Sequence, residues 1–397
     1  MIFMNMEITP QNPFITNSPV IKEDFIGRKE IIDNIISFIE KKKGIIFFLY
    51  GQRRTGKTSI LKKILDTVQS PQSARMVYFN VQDKARTPLS QLLLEIASSI
   101  NDELNLNLDV EGKNFNRSNA PGYFKKWVIP SITGKISPNQ KLLLLVDEFD
   151  VLISSETIDV DTTGYIDAGA YAAKNFIPFM ISLSEEIQEK RYPIKFLFAI
   201  GSIYKDIEQK RLGRLTSFGA EIEIPYFIKT ETEHLLKQYS ARSIPFEKEA
   251  IESIYTLTSG HPFFTQSLAK ASFDAAEKIN KKKITSGLVK QQLMPCIKRH
   301  SSTVFWIWNG FPAEDRLILY LMAVVKEEKQ PVSIKTIKKK AADLNVSSLV
   351  KNLPHTLEKL KAAKYIRESP AAEGEYEFYV EFIRKWIVNN VSDKDIL

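Results

Sequence analysis

The sequence predicts a three-layer α/β domain with a parallel sheet, followed by a helical lid and a C-terminal winged helix-turn-helix. Short apolar segments alternate with helix-like segments over the first two thirds of the chain, which is typical of βαβ units. After Pro225 the strand-like segments stop, and helix-like segments follow. We expect four parts: a lead segment at 1–24, the α/β domain at 25–228, the lid at 229–300 and the winged helix at 301–397.

The strand candidates of the α/β domain are short and apolar, as in a sheet that is buried on both faces. They are residues 45–50, 75–81, 141–147, 194–200 and 220–224. The helix candidates between them are 57–68, 88–104, about 120–130, 168–190 and 203–212.

The rest of the chain reads as helices with one hairpin. In the lid, Gly260 stands where a helix ends and Pro262 where the next begins, as the preferences of these residues favour. Helices are expected at 314–326, 333–343 and 349–363, before the strand-like "KYIRES" and "YEFYVE". Three helices and a hairpin are the pattern of a winged helix-turn-helix.

Composition limits the classes of function. The longest apolar runs are shorter than the ~20 residues of a membrane span, and "MIFMNMEITP" lacks the features of a signal peptide. With Cys296 as its single cysteine, the chain is expected in the cytoplasm, without a membrane partner. The net charge is +8, and lysines cluster at 281–300 and 335–364. Such clusters are either solvated helix faces or contacts for nucleic acid or an acidic protein.

The stretch "GQRRTGKT" matches the phosphate-loop pattern G-x-x-x-x-G-K-[ST] and lies between an apolar strand and a helix. In this pattern backbone N–H groups surround the phosphates, the lysine reaches the β- and γ-phosphates, and the hydroxyl binds Mg²⁺. The predicted fold is therefore a P-loop NTPase, with Lys57 on the phosphates and Thr58 on the metal. The predicted ATP or ADP contacts are Gly51, Gln52, Arg53, Arg54, Thr55, Gly56, Lys57, Thr58 and Ser59.

A second acidic group is expected at the end of a neighbouring buried strand, and "LLLLVDEFD" supplies it. Asp147 is the predicted Mg²⁺ ligand. Glu148 is the predicted base that orients and polarises the attacking water. Asp150 is open to a plainer interpretation, in which it caps the next segment.

Two further elements are candidates for sensing the γ-phosphate. Ser202 follows the strand "KFLFAI" and either senses the phosphate or caps the next helix. Arg211 and Arg214 stand at the end of that helix, where an arginine reaches a phosphate of a neighbouring subunit in some oligomeric ATPases. A solvated basic turn is the alternative for both arginines.

These motifs together resemble the STAND class of P-loop ATPases, and more narrowly the prokaryotic and archaeal AAA-like STAND ATPases. The resemblance covers roughly residues 10–390. It is carried by "FIGR", the phosphate loop, "LLLLVDEFD", "TSGHPFFTQ" and "YEFYVEFIRKWI", which occur in the expected order.

The resemblance implies a slow Mg²⁺-dependent ATPase that acts as a switch, closed with ADP and open with ATP, through a homo-oligomer or a protein partner. It implies that the backbone of Phe25, Ile26, Gly27 and Arg28 packs on the adenine and that Pro262 approaches the base and ribose. Many members have a histidine in the winged helix that contacts the ADP β-phosphate. Here that position reads "YVE", so we expect this contact to be absent or replaced.

The main alternative is a DNA-binding AAA-like ATPase, an initiator or a mobile-element regulator, which uses its winged helix on double-stranded DNA. The third helix of the module would enter the major groove, and the turn after it carries acidic residues that repel phosphates. The candidate DNA contacts are Lys351, His355, Lys359 and Lys361, and the acidic residues are Glu368, Glu373 and Glu375.

Three other interpretations have weaker support. The chain would be a binding module if it retained ADP without turnover. The segment 159–170 resembles a calcium loop, but Ala170 replaces the expected bidentate glutamate. The aromatic segment 304–311 fits a core contact better than a stacking platform for bases.

Overall fold

The computed structural model describes residues 12–41, 43–67, 74–108, 115–116, 119–137, 139–153, 171–201, 203–240, 243–325 and 331–396. They form two compact units. One is Ile21–Pro225, and the other comprises the described residues within Met1–Val20 and Tyr226–Leu397. The described part of the lead segment therefore groups with the lid and the C-terminal module.

The unit Ile21–Pro225 is built on a five-stranded parallel sheet with the order β2-β3-β4-β1-β5. Its strands are β1 Ile46–Gly51, β2 Ala74–Asn80, β3 Lys141–Asp147, β4 Ile194–Gly201 and β5 Gly219–Glu223. Each lies within one or two residues of its predicted bounds. The register sets Gly51 beside Gly201 and Asn80 beside Asp147. The carboxyl ends of β2, β3, β4 and β1 therefore lie at the same edge of the sheet.

Helices cover both faces of this sheet. They are α1 Lys29–Glu40, α2 Lys57–Thr67, α3 Leu89–Leu104, α4 Ala120–Tyr123, α5 Ile129–Thr133, α6 Asp150–Ile153, α7 Ala172–Lys190 and α8 Lys205–Leu212. Short 3-10 helices lie at Lys22–Asp24 and Gly213–Phe218, and five residues of π-helix, Phe124–Val128, join α4 to α5. The sequence analysis missed α1, and it predicted one helix where α4, the π-helix and α5 follow one another.

Alternate residues of the strands enter two separate cores. Phe48 and Phe198 belong to the core on one face, and Phe47 and Leu197 to the core on the other. All six residues of β1 are buried. Because both faces are covered, β1, β3 and β4 are apolar over most of their length instead of alternating with polar residues. Strand β5, at the edge of the sheet, is largely exposed. This sheet is the rigid support of the candidate site at its carboxyl edge.

The second unit contains the four predicted lid helices, α9 Lys229–Ser240, α10 Lys248–Thr258, α11 Pro262–Lys278 and α12 Ser286–Arg299. Residues 12–20 pack on them. Phe14 is buried, and its ring contacts those of Tyr239, Phe246 and Phe273. Asn12 donates a hydrogen bond to the Lys270 carbonyl at 3.0 Å, and the Lys270 ammonium donates to the Phe14 carbonyl at 3.2 Å. The segment is thus an integral part of the lid.

The C-terminal module follows the predicted order of elements. Its helices are α13 Ser301–Asn309, α14 Ala313–Val325, α15 Ile334–Asp343, α16 Leu353–Ala362, α17 Glu381–Asn390 and α18 Asp393–Ile396, with a 3-10 helix at Ser347–Val350. The strands are β6 Val332–Ser333, β7 Ile366–Ser369 and β8 Ala372–Phe378, antiparallel in the order β6-β8-β7. Strand β6 was not predicted. It adds a third strand to the predicted hairpin.

The aromatic segment 304–311 is divided between core and surface. Val304, Ile307, Trp308 and Phe311 are buried, while Phe305 and Trp306 are exposed.

None of the described helices combines the length and the apolar character that crossing a bilayer requires.

Candidate active site

The phosphate loop runs from the end of β1 to the start of α2. Gly56 has φ +98°, a conformation that favours glycine, and a Cβ built on it would meet no atom within 4 Å. At Gly51 a Cβ would stand 2.7 Å from Thr55 Oγ1, which itself donates to the Gln52 carbonyl at 2.7 Å. The loop is therefore closed by its own atoms and leaves open space beside Gly56.

Lys57 begins α2 and is only 6% exposed. Its ammonium donates to the carbonyls of Gly51 and Gln52, both at 3.1 Å. An ammonium carries three donors, so these two bonds leave one donor for another acceptor. The lysine is thus held at the loop by two backbone oxygens.

Asp147 ends β3 and is fully buried. Its Oδ2 accepts a hydrogen bond from the Tyr78 hydroxyl at 2.9 Å, and its Oδ1 accepts one from the Glu148 backbone N–H at 3.0 Å. Burial, followed by the charge of Asp147, raises the pKa of Tyr78, which keeps the phenol a donor. The sequence analysis missed Tyr78, because its role depends on β2 being the neighbour of β3.

Glu148 follows Asp147 with φ 56°, an uncommon value for a residue with a side chain. Burial raises the pKa of Glu148, and the charge of Lys57 opposes this shift. Phe149 is fully buried, and its ring stacks on that of Phe198 with centroids 4.1 Å apart. The stacked ring anchors the turn that carries Glu148 and Asp150.

Asp150 links the segment that follows β3 to the end of β4 by a side-chain hydrogen bond. Its Oδ1 accepts a hydrogen bond from the Gly201 N–H, at the end of β4, at 2.8 Å. Burial raises the pKa of Asp150, while Lys57 and this hydrogen bond lower it. A Cβ built on Gly201 would stand 3.2 Å from Asp150 Oδ1 and 3.3 Å from Lys57 Nζ. The carboxylate and the ammonium therefore lie near each other on the same side of Gly201, and the capping interpretation did not include the hydrogen bond from Gly201.

The predicted adenine segment lies beside the helix of the phosphate loop. Lys63 of α2 has its ammonium 5.9 Å from the centre of the Phe25 ring, and Ile26 is buried. Gly27 and Arg28 both have positive φ, so the backbone turns sharply into α1. Arg28 is buried and donates to the Pro225 carbonyl. The segment is thus held next to the loop in the same unit.

The predicted phosphate sensors are less well defined. Ser202 lies outside the described residues. Arg211 contacts Glu208 at 3.4 Å, and Arg214 pairs with Glu185 at 2.7 Å while remaining 67% exposed. Exposed ion pairs of this kind contribute about 0–1 kcal/mol, so the pair with Glu185 is weakly held. A role for either arginine toward a neighbouring subunit stays a prediction.

Pro262 belongs to the other unit, where it is the first residue of α11 as predicted. Gly260 has φ +74°, and a Cβ on it would collide with the Phe227 carbonyl, so this turn requires glycine. Tyr379 is the first residue of the stretch "YVE", near which the histidine of the resembled family is expected, and its carbonyl accepts a hydrogen bond from the Ser259 hydroxyl. Its ring lies 5.6 Å from that of Tyr226. This position therefore packs on the lid within the same unit.

The candidate DNA contacts of the C-terminal module fall into two groups. Lys359 pairs at 2.7 Å with Asp315, which is fully buried, and Lys361 pairs with Glu358 at 2.8 Å. Lys351 and His355 are exposed. Three further lysines that were not singled out, Lys335, Lys338 and Lys339 of α15, are exposed and form no ion pair within the described part of the chain.

Residues 10–166 match the family described as an AAA-like domain. This range contains the adenine segment, the phosphate loop and the acidic residues that end β3. The comparison with curated proteins gave no match. The matched range therefore includes most of the candidate site.

Solved structures extend the likeness to nearly the whole chain. The Walker-type ATPase paby2304 of Pyrococcus abyssi has a TM-score of 0.63 at 14% identity, over 95% of this chain and 99% of that one. The Aeropyrum pernix ORC2 protein, in ADPNP-ADP complexes, has a TM-score of 0.60 at 14% identity, over 96% and 97%. Drosophila ORC bound to DNA has a TM-score of 0.50 at 16% identity, over 95% and 87%. At these identities the likeness shows the fold.

Proposed function

We propose that the chain is a Mg²⁺-dependent ATP-binding and ATP-hydrolysing switch of the STAND type, a proposal supported by the match of residues 10–166 to an AAA-like domain and by the fold. The single observation that supports this most is the convergence of Lys57, Asp147 and Glu148 at one edge of the sheet. They come from two separate stretches of the sequence, since Asp147 and Glu148 are adjacent. A fold without nucleotide chemistry has no need to bury a lysine and an aspartate there.

The residues present fit a nucleoside triphosphate with Mg²⁺. The open space beside Gly56 matches a phosphate cradle, and the start of α2 presents its N–H groups to the same place. Asp147 is a buried carboxylate that only a donor or a cation can satisfy. Thr58 and Asp147 would hold Mg²⁺, which neutralises phosphate charge when bound.

Glu148 acts on water in this proposal. Its raised pKa brings the carboxylate closer to the range in which it accepts a proton during the reaction. Its position is fixed, because the backbone N–H bonds to Asp147 and the next residue is buried in the core. Lys57 orients the phosphates and stabilises the charge that develops on them. Slow turnover, as suits a switch, rests on the family resemblance.

The switch would act through a homo-oligomer or a protein partner. Arg214 supports the first possibility, because its weak surface pair with Glu185 can be exchanged for a phosphate of a neighbouring subunit. The predicted contacts of Phe25–Arg28 with the adenine and of Pro262 with the ribose belong to the same proposal.

A second candidate function is double-stranded DNA binding by the C-terminal module. The exposed lysines of α15 favour it, as does the fold likeness to Drosophila ORC, which is bound to DNA in its structure. Lys359 and Lys361 are less suited to the role than predicted, since both are paired with carboxylates. DNA binding through this module would therefore depend on α15 more than on α16.

The deciding experiment is ATP hydrolysis by the purified chain, with Mg²⁺ or with a chelator, and with or without double-stranded DNA. Lys57→Ala is the blank. We expect slow, Mg²⁺-dependent hydrolysis that the blank lacks. Hydrolysis equal to that of the blank would overturn the ATPase proposal. A several-fold stimulation by DNA would favour the second candidate, and its loss in a Lys335/Lys338/Lys339→Ala variant would assign it to α15.

A further inference from the structure

The carboxylate of Asp150 has no part in the reaction proposed above, although it lies among the groups that perform it. It accepts a hydrogen bond from the Gly201 N–H at 2.8 Å and lies near the Lys57 ammonium on the same side of Gly201. A Cβ at this position would be in tight contact with both charged groups, at 3.2 and 3.3 Å. The carboxylate is thus built into the edge of the sheet next to the lysine of the phosphate loop.

We propose that Asp150 determines the preference of the site between ADP and ATP, by placing a fixed negative charge beside the position of the γ-phosphate. The inference rests on the proposed function, since it concerns the nucleotides at the same loop. The lysine of a phosphate loop reaches the β- and γ-phosphates. A group that faces this lysine is therefore close to the phosphate that distinguishes ATP from ADP.

Two electrostatic effects act in the same direction. The carboxylate repels the additional negative charge of the γ-phosphate, and a partly desolvated site strengthens that repulsion. It also attracts the Lys57 ammonium, for which the γ-phosphate must compete. ADP is affected less, because its β-phosphate is held mainly by the N–H groups of the loop.

The carboxylate has little freedom to move away when the triphosphate binds. Its hydrogen bond to Gly201 links it to the end of β4, a strand that is buried over most of its length. Asp150 also begins α6, whose next residues Leu152 and Ile153 are buried. The bias toward ADP is therefore a property of the rigid fold, as a switch with an ADP-bound resting state requires.

The test compares the dissociation constants of ADP and of a non-hydrolysable β,γ-imido ATP, both with Mg²⁺, for the wild type and Asp150→Asn. The asparagine keeps an oxygen that accepts from Gly201 and removes the charge. We expect the ATP analogue to gain affinity relative to ADP by on the order of tenfold. The matched control is Asp33→Asn, an exposed carboxylate on α1, which should leave the ratio unchanged.

The outcomes separate the two proposals. If the wild type binds neither nucleotide, the proposed function fails. If it binds both and Asp150→Asn shifts both affinities equally or not at all, Asp150 does not discriminate, and the ATPase proposal stands. Asp150→Ser removes the same charge with a smaller side chain, so it decides the question if the asparagine variant does not fold.

Discussion

Two buried lysines stand at opposite ends of the central sheet, and the structure holds them differently. Lys57, at the carboxyl edge, is 6% exposed, and Lys195, near the amino end of β4, is 3% exposed. Lys57 bonds two loop carbonyls and has the carboxylates of Glu148 and Asp150 nearby. Lys195 bonds carbonyls only, and its charged neighbours Lys41 and Lys141 are positive.

Lys195 caps the C-terminal end of helix α1 and the turn that follows it. Its ammonium donates to the carbonyls of Phe38 at 2.7 Å, Gly44 at 2.9 Å and Lys43 at 3.4 Å, and it lies 4.1 Å from the centre of the Phe38 ring. Lys141 donates to three further carbonyls, those of Ile39, Glu40 and Lys41. Cations at a helix C-terminus are favoured by the helix dipole.

The two buried lysines differ in how many donors their backbone partners use. All three donors of Lys195 are directed at fixed backbone oxygens, so the residue has nothing to offer a ligand. Lys57 donates to two carbonyls among the described residues, which leaves one donor, and it directly follows Gly56, where a built Cβ meets only open space. We therefore expect substitutions of the two lysines to affect different properties of the protein.

The largest effect is expected from Lys57→Ala, which should abolish ATP binding and change the free energy of unfolding by no more than about 1 kcal/mol. Nucleotide titration and denaturant unfolding measure the two quantities. Lys195→Met is the matched control and should bind ATP while being less stable. If Lys195→Met lost ATP binding while its free energy of unfolding stayed at the wild-type value, the proposed distinction between the two lysines would be wrong.

Glu148→Gln should slow ATP hydrolysis by at least about 100-fold, because a positioned base contributes that much or more. ATP binding should stay near the wild-type value, since the amide keeps the size of the side chain. Single-turnover hydrolysis with pre-bound ATP separates the two steps. Hydrolysis at the wild-type rate would show that another group activates the water.

Tyr78→Phe should raise the Mg²⁺ concentration for half-maximal hydrolysis by about tenfold, as losses of groups that orient a metal ligand do. The hydroxyl is the donor to Asp147 Oδ2. Tyr50→Phe is the matched control, because the Tyr50 hydroxyl has no hydrogen-bond partner among the described residues. An unchanged Mg²⁺ dependence would mean that Asp147 needs no support from β2.

The smallest effect concerns the dependence of stability on pH. Burial, together with Lys141 and Lys41, lowers the pKa of Lys195 to about 8, whereas a lysine in the unfolded chain titrates near about 10.4. Between these values the unfolded chain binds more protons, so titration of Lys195 makes the free energy of unfolding rise with pH. Below about pH 8 the group is charged in both states and this gain is absent.

The measurement is denaturant unfolding of the wild type and Lys195→Met at about pH 7.5 and about pH 9.5. The wild type should gain about 1 kcal/mol relative to the variant over this range. A difference that stays constant with pH would show that Lys195 keeps its proton in the fold. In that case the environment of Lys195 would resemble that of an exposed lysine.

Much of the fold followed from local patterns. The bounds of the five strands were predicted within one or two residues, because a short apolar run between two helices is typical of a buried strand. Helix α1 was missed even though five of its apolar residues are buried. The sequence predicted a lead segment separate from the lid. In the structure Phe14 packs on residues more than two hundred positions later in the chain, and no local pattern indicates such a contact.

The sequence by itself determined the phosphate loop and the residues that end β3, since each of these motifs consists of residues that are adjacent in the sequence. Only the tertiary structure decided which residues support them. Tyr78 meets Asp147 because β2 lies beside β3, and Asp150 meets Gly201 because β4 lies on the other side. Strand order depends on how the whole sheet packs, so no local pattern carries it. For the same reason Lys57 lies at the predicted phosphate loop and Lys195 at the C-terminal end of α1.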